Sequence, residues 1–332
     1  MKKSLKILMW LCLVIVLVVV IVIGYVELRW NKTFDAPYPD ITASSDPVVI
    51  ERGKYLAFGA SHCASCHVPM DKVIEVDNGL QIPLSGGWQE EIAGLGTFRA
   101  PNLTPDPETG IGKMTDAQLA RAIRYGVKHD GTFLPPFMLF QGMSDEDLTA
   151  VISFLRSQEP VKHKVEPSDL SFIAKALVTF GMLKPEGPKN TPPKAVKKEA
   201  TAEYGKYLAD DIGNCRGCHI AMNSKGQRIG ADFSGGGIFP PNAFSDGYGF
   251  VSPNLTPHPA TGVMTEWDEE FFVDRFKGGR LHKGSPMPWG LFSHIDETDL
   301  KALYQYLHSL DPVENKIAKT VYSPGEKLPE VK

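Results

Sequence analysis

The strongest constraint on this chain is that it carries one pattern twice. Cys63-Ala-Ser-Cys-His67 returns as Cys215-Arg-Gly-Cys-His219, an offset of 152 residues (215 − 63). At the same offset Gly-Lys-Tyr-Leu-Ala at 53–57 returns at 205–209, and Pro-Asn-Leu-Thr-Pro at 101–105 returns at 253–257. Thr109-Gly110 falls on Thr261-Gly262, and Asp147-Leu148 on Asp299-Leu300. A single offset held over about 100 residues predicts a duplicated unit.

Each copy reads as short helices set among long loops. Asp46 before Pro47 has the form of a capping residue followed by proline at the first helical position, and Thr201 is its counterpart. Thr115 opens a middle helix, with Leu119, Ala122 and Ile123 at helical spacing. Ser144 with Asp147 caps a last helix whose Leu148, Val151, Ile152 and Leu155 follow at i, i+3, i+4 and i+7. Asp296 with Asp299 introduces Leu300, Leu303, Tyr304 and Leu307 in the same places. No strand alternation stands out, so the expected class is all-α. From each histidine to its Asn-Leu-Thr runs a glycine-rich loop of 35 residues (102 − 67 and 254 − 219). Loops of that length inside a compact unit need something to wrap, and a bulky planar cofactor would serve.

Residues 7–26 contain no charge, and at about 1.5 Å per residue they span roughly 30 Å of hydrocarbon. Lys2, Lys3 and Lys6 put the preceding end in the cytoplasm. A cleaved signal would end in small residues, which Gly-Tyr-Val-Glu-Leu-Arg-Trp does not supply. The expectation is an uncleaved single-pass anchor in the inner membrane, with the rest of the chain on the periplasmic side. The resulting plan is an anchor at 1–30, a juxtamembrane segment at 31–46, a first domain at 47–160, a linker at 161–200, a second domain at 201–315 and a tail at 316–332. Within the linker, residues 169–183 are expected to form a short helix docked on the first domain. The net charge is −4, with two mildly acidic units flanking a basic connector. This excludes nucleic acid as a partner, since nucleic acid selects clustered positive charge, and suits a basic face on a protein.

Apart from Cys12, within the apolar run, every cysteine lies in the two Cys-x-x-Cys-His motifs. Export makes disulfides the ordinary expectation, but disulfides would leave His67 and His219 without a role. One zinc ion shared by Cys63, Cys66, Cys215 and Cys218 would join two separately duplicated units and again strand the histidines. A thioredoxin-like pair needs a βαβ setting, which is absent. The remaining chemistry is covalent attachment of haem, for which this spacing is the signature. Two thiols three positions apart on one turn reach the two vinyl groups of one haem edge, and the next residue turns its imidazole to iron. The expectation is two covalently bound haem c groups, on Cys63, Cys66 and His67 and on Cys215, Cys218 and His219. His62 adjoins a thioether cysteine and cannot bend back to the iron.

With these motifs, together with PNLTPDPETGIG, MSDEDL, SPNLTPHPATG and SPMPWGLF, the chain resembles the membrane-anchored dihaem members of the cytochrome c family. It is similar to the haem domains in cytochrome subunits of bacterial membrane-bound dehydrogenases, over residues 47–160 and 201–311. The resemblance implies two tandem haem domains behind one transmembrane helix, passing single electrons in a respiratory chain. The donor would be a dehydrogenase or quinol-oxidising complex, and the acceptor an oxidase, reductase or soluble cytochrome. It also implies Met287 as the sixth ligand of the second iron. In the first copy the offset points to Pro135 (287 − 152), while the loop LPPFMLFQGM offers Met138 and Met143. Met138, beside the prolines, is the expected ligand. Met143 aligns with Ile295 before the helix cap and suits a hydrophobic staple, and His129 or an open site is the remaining possibility. Asn102 and Asn254 are candidates to hold haem propionates, although a turn signal explains the same residues. The alternative is a dihaem enzyme, peroxidase-like or thiosulfate-oxidising, with a labile axial position at the first haem. The thiosulfate-oxidising version would need a spare exported cysteine.

Overall fold

A computed structural model describes residues 2–138, 140–224 and 226–330. Helix α1 (Lys2–Arg29) reaches a mean hydropathy of 3.4 and is long and apolar enough to cross a membrane. Among the described residues nothing buries the most apolar window of this helix, and Cys12 is exposed on it. The first repeat then runs α2 (Pro47–Phe58), a 3-10 turn at Cys63–Ser65, α3 (Val73–Asp77), β1 (Gln89–Ile92), β2 (Gly96–Arg99), α4 (Asp116–Tyr125) and α5 (Asp145–Ser157). Strand β3 (Asp169–Leu170) and α6 (Phe172–Thr179) follow. The second repeat runs α7 (Ala202–Tyr207), a wide π-type turn at Leu208–Ile212, α8 (Cys215–Cys218), β4 (Ile238–Phe239), β5 (Gly249–Val251), α9 (Glu269–Lys277), α10 (Trp289–Phe292), α11 (Glu297–His308) and β6 (Val321–Tyr322).

Each expected cap is present. The side chains of Asp46, Thr115, Ser144, Thr201 and Asp296 accept backbone N–H bonds from the first turns of α2, α4, α5, α7 and α11. At α4 the bond is reciprocal, because the Gln118 side chain accepts from the amide of Thr115. These bonds satisfy donors that a helix start leaves without partners. The capped helices pack in pairs, α2 against α5 and α7 against α11, and their apolar faces merge into one cluster that includes Leu56, Leu148 and Ile152 with Leu208, Leu300 and Leu303.

The all-α expectation needs correcting: the fold is mostly helical but carries two small antiparallel sheets, ordered β1-β2-β3 and β4-β5-β6. Their strands are two to four residues long, too short to impose a legible alternation. Their third strands, β3 and β6, lie 152 residues apart (321 − 169) in stretches expected to be linker and tail. The segment 31–46 is laid on the first repeat, with Ile41 in the core and the Arg121 guanidinium 4.2 Å over the ring of Tyr38. Helix α6 packs along the C-terminal end of α1, where Val26, Ala174 and Val178 are all buried, and touches the first repeat through its capping Ser171, whose hydroxyl donates to the carbonyl of Gly94 at 2.6 Å.

The two repeats meet in a polar seam that nearly repeats itself across a local two-fold. The Tyr55 hydroxyl donates to Asp299 Oδ2 at 2.7 Å and accepts the amide of Asp296 at 3.0 Å. Tyr207, its counterpart (55 + 152), donates to Asp147 Oδ2 at 2.7 Å and accepts the amide of Ser144 at 3.1 Å. Burial and the neighbouring carboxylates push both phenols well above the ordinary tyrosine range, so they remain donors. Between them Arg52 holds Asp147 through two bonds of 2.8 and 3.1 Å. Removing either phenol oxygen leaves a buried carboxylate oxygen and a helix-start amide short of a partner. We therefore expect Tyr55→Phe and Tyr207→Phe each to lower stability by about 1.5 kcal/mol, read from denaturant midpoints. A loss below about 0.5 kcal/mol in both would mean that the seam does not hold the repeats together.

Candidate functional site

Both motifs are single tight turns. The amide of His67 donates to the carbonyl of Cys63 at 3.1 Å, and that of His219 to the carbonyl of Cys215 at 3.0 Å. Each turn is entered through a left-handed residue, His62 at φ 39° and Asn214 at φ 47°. Asparagine adopts that region readily and histidine less so. The His62 ring is spent on the seam, edge-on to Phe292 with centroids 5.8 Å apart. A Cβ built on Gly213 would lie 3.7 Å from the carbonyl oxygen of Ala60, so the approach to one motif rests on the approach to the other.

The imidazoles are oriented by backbone. His67 Nδ1 donates to the carbonyl of Pro101 at 2.9 Å, and His219 Nδ1 to that of Pro253 at 3.2 Å. A carbonyl can only accept, so the tautomer is fixed and Nε2 keeps its lone pair. Among the described residues, Nε2 of neither ring makes a hydrogen bond. Burial favours the neutral rings, bringing His219 down to about 4 and His67 below its ordinary value.

The glycine-rich loops have a specific task here. The amides of Gly86 and Gly235 donate to the carbonyls of His67 and His219, each at 3.0 Å. Both glycines have positive φ, and a Cβ on either would come within 2.5 Å of the carbonyl carbon of Pro101 or Pro253. Behind them His163 Nδ1 donates to Ser85 O, as Asn315 Nδ2 does to Ser234 O, both at 2.9 Å. The prolines, glycines and this backing pair escaped the sequence reading. Ser-Gly-Gly at 85–87 and 234–236 was the available signal, but its offset is 149 and not 152, which hid the match.

Asn102 and Asn254 are buried behind the imidazoles, not offered to a ligand. The Nδ2 of Asn102 donates to Thr109 Oγ1 at 3.2 Å and to the carbonyl of Val161 at 2.8 Å, and its Oδ1 accepts the amide and hydroxyl of Thr104. Asn254 makes the same bonds to Thr261, Val313 and Thr256. Their side chains tie the Pro101 and Pro253 segments to the chain leaving the last helix. The amide hydrogens and the carbonyl oxygen of each side chain are thus engaged within the protein.

The four motif cysteines do not gather. Among the described residues no group of three or more His, Cys, Asp or Glu is placed to hold a metal ion. Cys63, Cys66 and Cys215 are free and only partly exposed, and burial raises their thiols to about 12, 11 and 12. Two such thiols on one turn, beside an imidazole whose free nitrogen is Nε2, fit a covalently attached haem and its first axial ligand. Cys218, the fourth, is exposed.

The three candidate methionines separate by burial. Met138 and Met287 are half-buried at the edge of the core, whereas Met143 is sealed within it at 1 % exposure. Ile295, aligned with Met143, is buried as well, and the Met143 carbonyl is held by Arg124 Nη2 at 2.7 Å. His129 and His282 are exposed.

A family model described as cytochrome c matches residues 50–159. The chain is 33 % identical over 267 residues to a "Diheme cytochrome c-type" protein of Cereibacter sphaeroides, with 77 % of this chain and 84 % of that one covered. It is 28 % identical over 301 residues to the "Alcohol dehydrogenase (quinone), cytochrome c subunit" of Gluconacetobacter polyoxogenes, covering 86 % of this chain and 60 % of that one. To the "Gluconate 2-dehydrogenase cytochrome c subunit" of Pantoea cypripedii it is 25 % identical over 299 residues, covering 86 % and 64 %. The chain thus spans about 60 % of the length of the alcohol dehydrogenase subunits it matches.

Proposed function

This chain belongs to the cytochrome c family, and from that membership we propose that it is a membrane-anchored carrier of single electrons bearing two haem c groups. Its haem domains would be residues 47–160 and 201–315, on the periplasmic side of the inner membrane. Support for the second haem comes from the matched build of the two motifs: each imidazole donates Nδ1–H to a proline carbonyl 34 residues on (101 − 67 and 253 − 219). Support for the anchor comes from the uncovered apolar run of α1 with lysines at its start.

When bound, haem c supplies an iron that takes up and gives back one electron. The protein's part is to fix and shield. Cys63 with Cys66, and Cys215 with Cys218, would carry the covalent links. The proline carbonyls keep His67 and His219 in the tautomer that presents Nε2, and such a bond raises the basicity of the ligating nitrogen. Met287 and Met138 would each supply a second protein ligand to an iron, a thioether that raises the potential and keeps small molecules away. A cytochrome-bearing dehydrogenase is the donor we favour, because relatives that match most of this chain are subunits of such enzymes.

The purified chain, denatured and extracted with acid acetone, is expected to keep its colour and to weigh two haems more than the bare polypeptide. Cys63→Ala with Cys66→Ala should reduce that excess to one. Colour lost to the acetone, or an excess of one haem in the unmutated chain, would overturn the dihaem reading.

A further inference from the structure

We propose that α6 and the turn after it lie in the boundary layer of the membrane that α1 crosses, with Phe172, Ile173, Phe180 and Met182 covered by lipid. This rests on the anchor reading above. The helix is pinned where the apolar run of α1 ends. Val26 is wholly buried, and the Tyr25 and Phe180 rings stack with centroids 6.2 Å apart. One residue beyond Val26, Glu27 receives Lys175 at 2.8 Å, and that ammonium also stands 5.4 Å from the ring of Trp30. Lys32 donates to the carbonyl of Thr179 at 3.2 Å and closes the end of the helix.

Beside the face that meets α1, α6 and the turn after it carry apolar side chains that no described residue fully covers, with Phe180 at the edge where it stacks on Tyr25. Ile173, Leu177 and Phe180 fall at i, i+4 and i+7. Phe172, Ile173, Phe180 and Met182 are 41 %, 58 %, 55 % and 65 % exposed, and Leu28 on the neighbouring turn of α1 is 85 % exposed. The patch meets the exposed surface of α1 at Tyr25, which is itself half exposed and stacks on Phe180. Around it stand Tyr25, Trp30, Lys32, Lys175 and the exposed Lys184, the mix of aromatic and basic side chains that sits at a bilayer's polar boundary. An apolar strip at that level, rimmed in that way, matches a helix lying in the interface plane. Because β3 leads directly into α6 and Ile41 and Tyr38 are bound to the first repeat, lipid contact at α6 would also fix the attitude of the first motif to the membrane.

The test uses the full-length holoprotein with Cys12→Ser, placed in phospholipid nanodiscs and spin-labelled at Ile173→Cys or Met182→Cys. A label at Glu297→Cys, on a side chain 64 % exposed at the start of α11, serves as the aqueous reference. The labels at 173 and 182 should collide severalfold more often with oxygen, and severalfold less often with a water-soluble nickel complex, than the label at 297. If the protein sits in the discs but labels 173 and 182 meet the nickel complex as often as label 297 does, the patch is open to water. The proposal then falls while the anchor stands, and a protein partner becomes the occupant to seek. If the holoprotein stays out of the discs, the anchor reading fails and this inference fails with it.

Discussion

Gly53→Ala is expected to unfold the first repeat at markedly lower denaturant than the parent protein, although it adds only a methyl group. A Cβ at Gly53 would lie 2.9 Å from the Cβ of Phe154 and closer still to the carbonyl of Ala150, on the facing helix α5. Gly205 stands in the same relation to Tyr306 and Ala302 of α11. A helix carbonyl cannot swing aside as a side-chain tip can, so the two axes have to separate and the cluster around Leu56, Leu148 and Ile152 has to loosen. Alanine's better helix propensity returns at most about 1 kcal/mol. Overpacking typically costs about 1–3 kcal/mol and occasionally more, and here the atoms met are backbone, which puts the cost at the upper end. The net loss should appear in guanidinium titrations followed by haem absorbance and far-ultraviolet dichroism, and Gly205→Ala should behave alike. Gly24→Ala, where a Cβ meets nothing within 4 Å, is the control. A Gly53→Ala midpoint equal to that of the control would mean that α2 and α5 are not in such close contact.

Substituting the three methionines should give two unlike results. Met287→Ala and Met138→Ala are each expected to abolish the methionine-to-iron charge-transfer band of one haem and spare the other. The iron exposed in each case should bind carbon monoxide when reduced. Met143→Ala should leave both bands and instead destabilise the protein, because a sealed core methionine truncated to alanine costs about 2–5 kcal/mol. If Met143→Ala removes a band and Met138→Ala does not, Met138 is not the ligand. If the unmutated protein already binds carbon monoxide at one haem, the sixth position there is labile, and the enzyme alternative returns.

The features legible in the sequence were those enforced over a few adjacent residues. A capping serine or aspartate, an i, i+3, i+4 stripe and a Cys-x-x-Cys-His turn each carry their whole signal within one or two helical turns, and the structure shows the caps, stripes and turns where they were expected. The sheets were not legible, because two-residue strands such as β3 and β6 are set by backbone bonds to a distant hairpin and need no side-chain pattern of their own. The bonding of Asn102 was hidden for a related reason. Its partner Val161 lies 59 residues along the chain, and nothing local distinguishes an asparagine that ties two segments from one that faces a ligand. In the same way the sequence of 169–183 showed an apolar helix but not that α1 is a neighbour of it alongside the first repeat.

The seam between the repeats carries one departure from its own symmetry. Arg52 and Tyr204 occupy equivalent positions (52 + 152), and they touch each other, Nη2 to hydroxyl at 3.5 Å, so they sit where the local axis passes. Two first repeats joined in this way would set guanidinium against guanidinium. Two second repeats would set phenol against phenol with no guanidinium at the axis, leaving Asp299 only Lys198 of the linker, 3.2 Å from its Oδ1. Neither repeat is therefore suited to dimerise with its own kind through this face, and each is complementary only to the other. Because the two unlike faces lie on one covalent chain, their contact does not depend on protomer concentration, as a contact between separate subunits would.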